Sequence, residues 1–270
     1  MSTHEILAII DELKALGTLA IAFDGGEPLL RDDIGEILSY CKSKRLFITI
    51  NTNGSLVPKK IREIKKVDYL KISFDGPPEI HNYIRGDGTY SDAVKAIVAA
   101  KENYIEARLN TTLTKYNLRY IDFILNKAEE WNLKVKFQPV INSNTLYPRV
   151  DEYRQAIKKI ILEKSKCSKY IINSLSSLNY IYTWPSGKPL KCYAGILFCR
   201  ISPMGNVYPC NIMRDSKSSV GCKDYGFKEV FKNMPRDYSC TGCWCTTSLE
   251  LNYFLSFKID ALSNVYKIMG

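Results

Sequence analysis

Apolar residues recur every three or four positions at the start of the chain. Ile6, Leu7, Ile10, Leu13 and Leu16 fall on one face of a helix over residues 4–16, with Gly17 as its stop. The period then changes: short runs of aliphatic and β-branched residues alternate with stretches of helical period. This predicts strands over 19–24, 46–51, 69–74, 107–112 and 134–140, with helices near 33–43, from Pro58, over 91–103 and over 118–131. Five strands alternating with helices imply parallel βα units of an α/β fold, wound right-handedly around one side of a curved or closed sheet. The first helix has an apolar face that needs a sheet, yet no strand precedes it in this sequence.

The C-terminal end of each predicted strand is polar. The first runs into Asp24-Gly25-Gly26-Glu27-Pro28, the second into Asn51-Thr52-Asn53-Gly54 and the third into Ser73-Phe74-Asp75-Gly76; the fourth carries Asn110, Thr111 and Thr112, and the fifth Gln138 before Pro139. Any one of these is an ordinary turn or cap composition. Five at the same end of successive strands are better explained by a shared ligand on one rim, where such folds place their sites. After Val140 two helical stretches, 150–166 and 170–182, lead through Pro185, Gly187 and Pro189 into a cysteine-rich segment, so a domain over 1–185 and a smaller unit over 186–270 are expected.

Composition narrows the classes. The 270 residues are 46% hydrophobic and 24% charged, enough for one large domain with a small cap, and no apolar run reaches the roughly 20 residues that cross a bilayer. No membrane association is expected, and nine cysteines, odd in number and crowded after Lys191, suit a reducing, cytoplasmic setting and a metal site better than a disulfide scaffold. The net charge of +10 falls largely on helix and loop segments and reads as a solvated face. No basic stretch is interleaved with aromatics at a nucleic-acid module's spacing, so no nucleic-acid partner is expected.

Two glycines at a strand end let the backbone approach a ligand closely, and the carboxylate beside them could bind an ammonium or a cation. With Phe23 before it and Leu29-Leu30-Arg31 after it, Gly25-Gly26-Glu27-Pro28 resembles the GGEP motif of radical SAM enzymes. Asn51-Thr52-Asn53-Gly54 is similar to the family's TNG strand end. Lys71-Ile72-Ser73-Phe74-Asp75-Gly76, with His81, Arg85, Gly86 and Tyr90, is similar to its S-x-D-G…H…R-G-x-G-x-[FY] segment. The resemblance implies a partial (β/α)6 TIM-like barrel lacking its first strand. It also implies S-adenosylmethionine as cofactor: Gly25, Gly26, Glu27 and Pro28 at the methionine end, Ser73 and Asp75 near the ribose and carboxylate, and Arg85 on the carboxylate. Asn51, Asn53, Asn110, Thr112 and Gln138 join the set by their places on the rim. His81 reads as a solvated or core histidine.

The cysteines form a second constellation. Cys192 and Cys210 frame C-x12-G-x4-C around Gly205, and Cys240-Thr-Gly-Cys243-Trp-Cys245 follows. A C-x2-C pair presents two soft thiolates from one turn, which suits zinc and iron–sulfur clusters alike. The stretch resembles the family's SPASM cap in its shortened twitch form. That implies one auxiliary [4Fe-4S] cluster on Cys192, Cys210, Cys240 and Cys243, with Cys199 or Cys245 able to replace one; zinc remains the alternative. Cys41, Cys167 and Cys222 read as ordinary small residues.

The family's C-x3-C-x2-C pattern, which holds the catalytic [4Fe-4S] cluster, does not occur in this sequence. A truncated or decayed homologue, inactive as given, is the expectation. In the complete form, hydrogen-atom abstraction from a peptide, protein or small-molecule substrate is implied, with a reducing electron donor. The competing expectation is a noncatalytic, zinc- or cluster-stabilised scaffold that binds S-adenosylmethionine or another nucleotide. A barrel lyase using Glu27 and Lys71 as acid and base ranks third, since nothing else in the sequence suggests a Schiff base.

Overall fold

The computed structural model describes residues 1–141, 143–166, 169–187, 190–213, 220–234, 240 and 242–262; Cys167 lies outside them. The chain opens on α1 (Thr3–Ala15), whose first turn is closed by a capping box. Ser2 Oγ accepts from the Glu5 N–H at 3.3 Å and a Glu5 carboxylate oxygen accepts from the Ser2 N–H at 2.7 Å. Then come β1 (Ala20–Phe23), α2 (Ile34–Ser43), β2 (Phe47–Thr52), α3 (Val57–Lys60), β3 (Tyr69–Ser73), α4 (Pro78–Arg85), α5 (Thr89–Glu102), β4 (Ala107–Leu113), α6 (Ile121–Glu130) and β5 (Lys134–Pro139). The remainder holds α7 (Val150–Ser165), α8 (Leu175–Ile181), β6 (Arg200–Ile201), β7 (Asn206–Tyr208), β8 (Val220–Gly221), α9 (Cys222–Tyr225), α10 (Phe227–Lys232) and α11 (Thr246–Leu255).

The first five strands form a parallel sheet in sequence order, the α/β architecture that the alternation predicts. Its two faces differ in chemistry. On β2 and β3, Ile48, Ile50, Leu70 and Ile72 are buried completely, while Thr49, Asn51, Lys71 and Ser73 alternate with them on the other face. On β4 and β5 the register pairs Arg108 with Lys134, Asn110 with Lys136 and Thr112 with Gln138, whereas Leu109, Val135 and Phe137 are fully buried. A strand whose two faces both met helices would be apolar throughout. Here one face meets helices and the other lines an interior, as in a partial barrel.

The chain divides into two compact units, neither continuous in sequence. One comprises Met1–Ile72, Asp92–Ala107 and Ala194–Tyr238; the other comprises Ser73–Ser91, Arg108–Tyr193 and Ser239–Gly270. In the first, the small antiparallel sheet β6-β7-β8 and α10 pack on α1 through Ile9, Val207, Cys222, Phe227, Val230 and Met234. Glu12 accepts from the Lys228 N–H at 2.7 Å, and Lys223 pairs with Glu5 at 3.1 Å. In the second, α11 and the segment after it are tied to the start of α8: the Ser174 N–H donates to Glu250 Oε1 at 2.8 Å, and Asp260 accepts from the Ser176 N–H at 2.7 Å.

Candidate functional site

In the first unit the rim is organised by Glu27. Its Oε1 accepts from the Leu29 N–H at 3.1 Å and from the Thr52 hydroxyl at 2.9 Å, and its Oε2 accepts from the Asn53 N–H at 2.8 Å. Pro28 starts the short 3-10 turn Pro28–Leu30 that Glu27 caps, and its fixed φ suits that position. One carboxylate therefore fixes the loop after β1 to the end of β2. Gly25 holds φ +128, a region that L side chains rarely adopt, and the space where a Cβ would stand at Gly25 or Gly26 is open. Open backbone beside a half-buried, oriented carboxylate is a cradle suited to an ammonium group. In the same unit the Asn51 Oδ1 is buried without a hydrogen-bond partner among the described residues, and such an acceptor is costly to leave unmet.

In the second unit the rim is organised by Asp75, which is fully buried. Its Oδ2 accepts from Arg85 Nε at 2.6 Å and its Oδ1 from the Thr112 N–H at 2.8 Å. Arg85 closes α4 and is one-quarter exposed. Its Nε carries the ion pair, and with no partner on the two terminal nitrogens among the described residues the guanidinium fork can take a further anion. Gln138 Nε2 donates to the Thr112 hydroxyl at 3.3 Å. Ser73 and Asn110 are half-buried on the interior face of β3 and β4, and the Asn110 carbonyl accepts from the Phe74 N–H at 3.1 Å. The rim residues thus assemble within each unit: Glu27 with Asn53 in one, Asp75 with Arg85, Thr112 and Gln138 in the other.

His81 is a buried core histidine. Its Nδ1 accepts from the Asp75 N–H at 3.1 Å, and its ring lies against Phe74 and Tyr90. Burial pushes the imidazole down to about 4, against a smaller upward pull from Asp75. Asn117, which the sequence pattern did not single out, is fully buried and donates from Nδ2 to the Asp75 carbonyl at 3.0 Å and to the Thr112 carbonyl at 2.8 Å. Two further ionisable groups escaped the pattern. Lys136, on the interior face of β5, donates to the Thr247 hydroxyl and is pushed down by burial; Glu250, on α11, is pushed up by burial.

The cysteines occupy several environments. Cys41 is fully buried on α2 and burial raises its thiol to about 12, which fits a small core residue. Cys199 is likewise raised to about 12 by burial, beside Cys222, whose Sγ donates to the Gly205 carbonyl at 2.8 Å. Cys192 is exposed, with the Asn252 amide 3.7 Å from its sulfur. Cys210, Cys240 and Cys243 are half-buried and Cys245 is buried; the Cys243 N–H donates to the Tyr180 hydroxyl at 3.0 Å. Among the described residues no three His, Cys, Asp or Glu side chains converge as a metal-binding group. Nor is any described helix long and apolar enough to cross a membrane.

Comparison with known proteins places these features in context. A model of the radical SAM superfamily matches residues 1–128. The AdoMet-dependent heme synthase of Nitratidesulfovibrio vulgaris is 33% identical over 259 residues, covering 86% of this chain and 70% of that protein. Mycofactocin maturase MftC of Mycobacterium tuberculosis is 25% identical over 253 residues, covering 86% of this chain but 63% of the maturase, so the chain spans less than two thirds of that relative. Among solved structures, the Streptococcus suis protein SuiB superposes with a TM-score of 0.71 at 16% identity, covering 87% of this chain and 60% of SuiB. anSMEcpe with bound AdoMet superposes with a TM-score of 0.69 at 18% identity, covering 86% of this chain and 68% of that one. At these identities the superpositions speak to the fold.

Proposed function

Since the chain belongs to the radical SAM superfamily, with relatives of the SPASM/twitch maturase type, we propose that it binds S-adenosylmethionine on the polar strand-end rim and serves hydrogen-atom abstraction from a peptide, protein or small-molecule substrate. The observation that carries this reading is the Glu27 carboxylate, held by Leu29, Thr52 and Asn53 beside open backbone at Gly25 and Gly26. Glu27 takes the ammonium of the cofactor's methionine end, and Pro28 fixes the turn that aims it. Arg85, steadied by Asp75, takes the carboxylate, while Ser73, Asn51, Asn53, Asn110, Thr112 and Gln138 supply polar contacts for the remainder.

In this superfamily a reduced [4Fe-4S] cluster, when bound, would supply the electron for reductive cleavage of the cofactor. The three-cysteine pattern for that cluster is not in this sequence; the residues named above would hold and orient the cofactor. An auxiliary cluster would draw on Cys192, Cys210, Cys240, Cys243 and Cys245; zinc on the same thiolates is the other outcome of a metal analysis. A peptide substrate is favoured by the names of the relatives: SuiB was solved bound to precursor peptide SuiA, and anSMEcpe with AdoMet and the Kp18Cys peptide. The heme synthases keep a small-molecule substrate in view.

The test is equilibrium binding of S-adenosylmethionine to this chain under anaerobic conditions, with Glu27→Gln as the variant. The neutral amide keeps the size of the side chain but removes the charge that faces the ammonium. A loss of about tenfold or more is expected for a charge-assisted contact. Unchanged affinity in the variant, or no binding by the wild-type chain, would sink the proposal.

A further inference from the structure

Asp75 has every polar group engaged. Its N–H donates to His81 Nδ1 at 3.1 Å, its carbonyl accepts from Asn117 Nδ2 at 3.0 Å, and its two carboxylate oxygens accept from the Thr112 N–H at 2.8 Å and from Arg85 Nε at 2.6 Å. Asn117 is as fully committed. Beyond its bonds to the Asp75 and Thr112 carbonyls, its Oδ1 accepts from the Thr114 N–H at 2.8 Å. Asp75, His81 and Asn117 are each 0% exposed, so water does not compete for these bonds. Of the groups gathered on Asp75, Arg85 alone brings a charged side chain toward solvent. A buried carboxylate whose backbone is pinned on both sides is a rigid mount for the guanidinium that leaves it.

We infer that Asn117 and His81 are positioning residues for cofactor binding: they fix Asp75, and Asp75 in turn fixes the direction in which Arg85 presents its fork. This rests on the reading of Arg85 as the partner of the S-adenosylmethionine carboxylate. Asn117 stands where a helix N-cap would, since the 3-10 turn Leu118–Tyr120 and α6 follow it, but its side chain makes no cap bond. The side chain instead joins the end of β3 to the end of β4. His81 serves as an acceptor: with Nδ1 taking the Asp75 N–H, the neutral ring carries its proton on Nε2.

The experiment compares two ligands on the intact chain: S-adenosylmethionine, which has the amino-acid carboxylate, and 5′-methylthioadenosine, which lacks it. Arg85→Ala, Asn117→Ala, His81→Phe and His81→Gln are measured beside wild type, with circular dichroism as the check on folding. Asn117→Ala is expected to weaken S-adenosylmethionine binding about tenfold, the scale of a disrupted charge-assisted contact between Arg85 and the cofactor's carboxylate, and to leave 5′-methylthioadenosine within about twofold. His81→Phe should act in the same direction, and His81→Gln, which restores an acceptor, should recover part of the loss. Should Asn117→Ala fail to fold, the His81 pair carries the comparison.

A folded Asn117→Ala with wild-type affinity for S-adenosylmethionine overturns the inference, as does a variant that weakens both ligands alike. An Arg85→Ala variant that binds S-adenosylmethionine normally overturns the underlying assignment of Arg85 instead, and the two failures are separately visible.

Discussion

The N–H of Asn53 donates to Glu27 Oε2 at 2.8 Å, across 26 residues of chain, and this one bond turns two strand-end loops into a single surface. The loop after β1 has no regular sheet pairing of its own at that point. Its shape comes from a carboxylate that borrows donors from β2. The residue proposed to meet the cofactor's ammonium therefore also holds the loop together, and on that proposal local stability and cofactor binding would change together.

Thr52 is the cleanest place to measure that coupling. Its hydroxyl donates to Glu27 Oε1 at 2.9 Å and accepts from the Gly54 N–H at 3.0 Å, and the residue is buried. Thr52→Val keeps the shape and removes both bonds, leaving a buried N–H unmet. The expected cost is about 1–3 kcal/mol of unfolding free energy, read from urea denaturation, together with weaker S-adenosylmethionine binding. A variant as stable as wild type would show that Glu27 is held by other means.

Gly54 is required by its surroundings as much as by its backbone. It holds φ +95, and a Cβ there would stand 3.1 Å from the Ala93 Cα and 3.2 Å from the Asp92 carbonyl, both main-chain atoms. Gly54→Ala should lower the urea midpoint by the equivalent of about 1–3 kcal/mol, from the strained φ plus the displacement of α5. If the midpoint stays put, α5 does not approach the loop as closely as described.

Much of this was legible in the sequence, and what was not follows a pattern. The strands at 46–51, 69–74, 107–112 and 134–140 lie within one residue at either end of β2, β3, β4 and β5, because apolar runs bounded by turn residues are strong local signals. The positions of Glu27, Asn53, Asp75, Thr112 and Gln138 at or just past strand ends were legible for the same reason. By contrast α4 was not among the predicted helices: it is short, it opens on Pro77 and Pro78, and of its residues only His81 is buried. Strands of two or three residues, such as β6, β7 and β8, carry no usable period. Asn117 was invisible because its meaning lies 42 residues away, at Asp75, whereas an Asn ahead of a helix reads locally as a cap.

His81 makes stability depend on pH in a stated direction. Burial lowers its folded-state pKa to about 4 from an ordinary 6.5, with the Arg85 charge adding to the lowering and Asp75 opposing it. The neutral ring is thus favoured in the folded state. Its contribution is fully present above pH 6.5 and is lost as the pH falls from there toward 4, to a total of about 3 kcal/mol. Urea midpoints of wild type and His81→Gln, compared from pH 7.5 to 4.5, should converge as the pH falls. Parallel curves would mean that the imidazole is already accessible to protons and water in the folded chain.

Cysteine accessibility separates core residues from those proposed as metal ligands. Cys41 is fully buried on α2 with its thiol raised to about 12, and Cys199 is raised to about 12 as well, so neither supplies thiolate to an alkylating reagent near pH 8. Cys192 is exposed. Iodoacetamide applied to the folded, metal-free chain should therefore modify Cys192 early, and Cys41 only once urea has unfolded the protein, with the sites read by peptide mass spectrometry. Rapid labelling of Cys41 would contradict the docking of α2. Repeating the experiment after anaerobic addition of iron and sulfide bears on the auxiliary cluster. A thiolate bound to iron is withdrawn from the reagent, so protection of Cys192 that a chelator reverses is expected if it is a ligand, and undiminished labelling would remove it from the set.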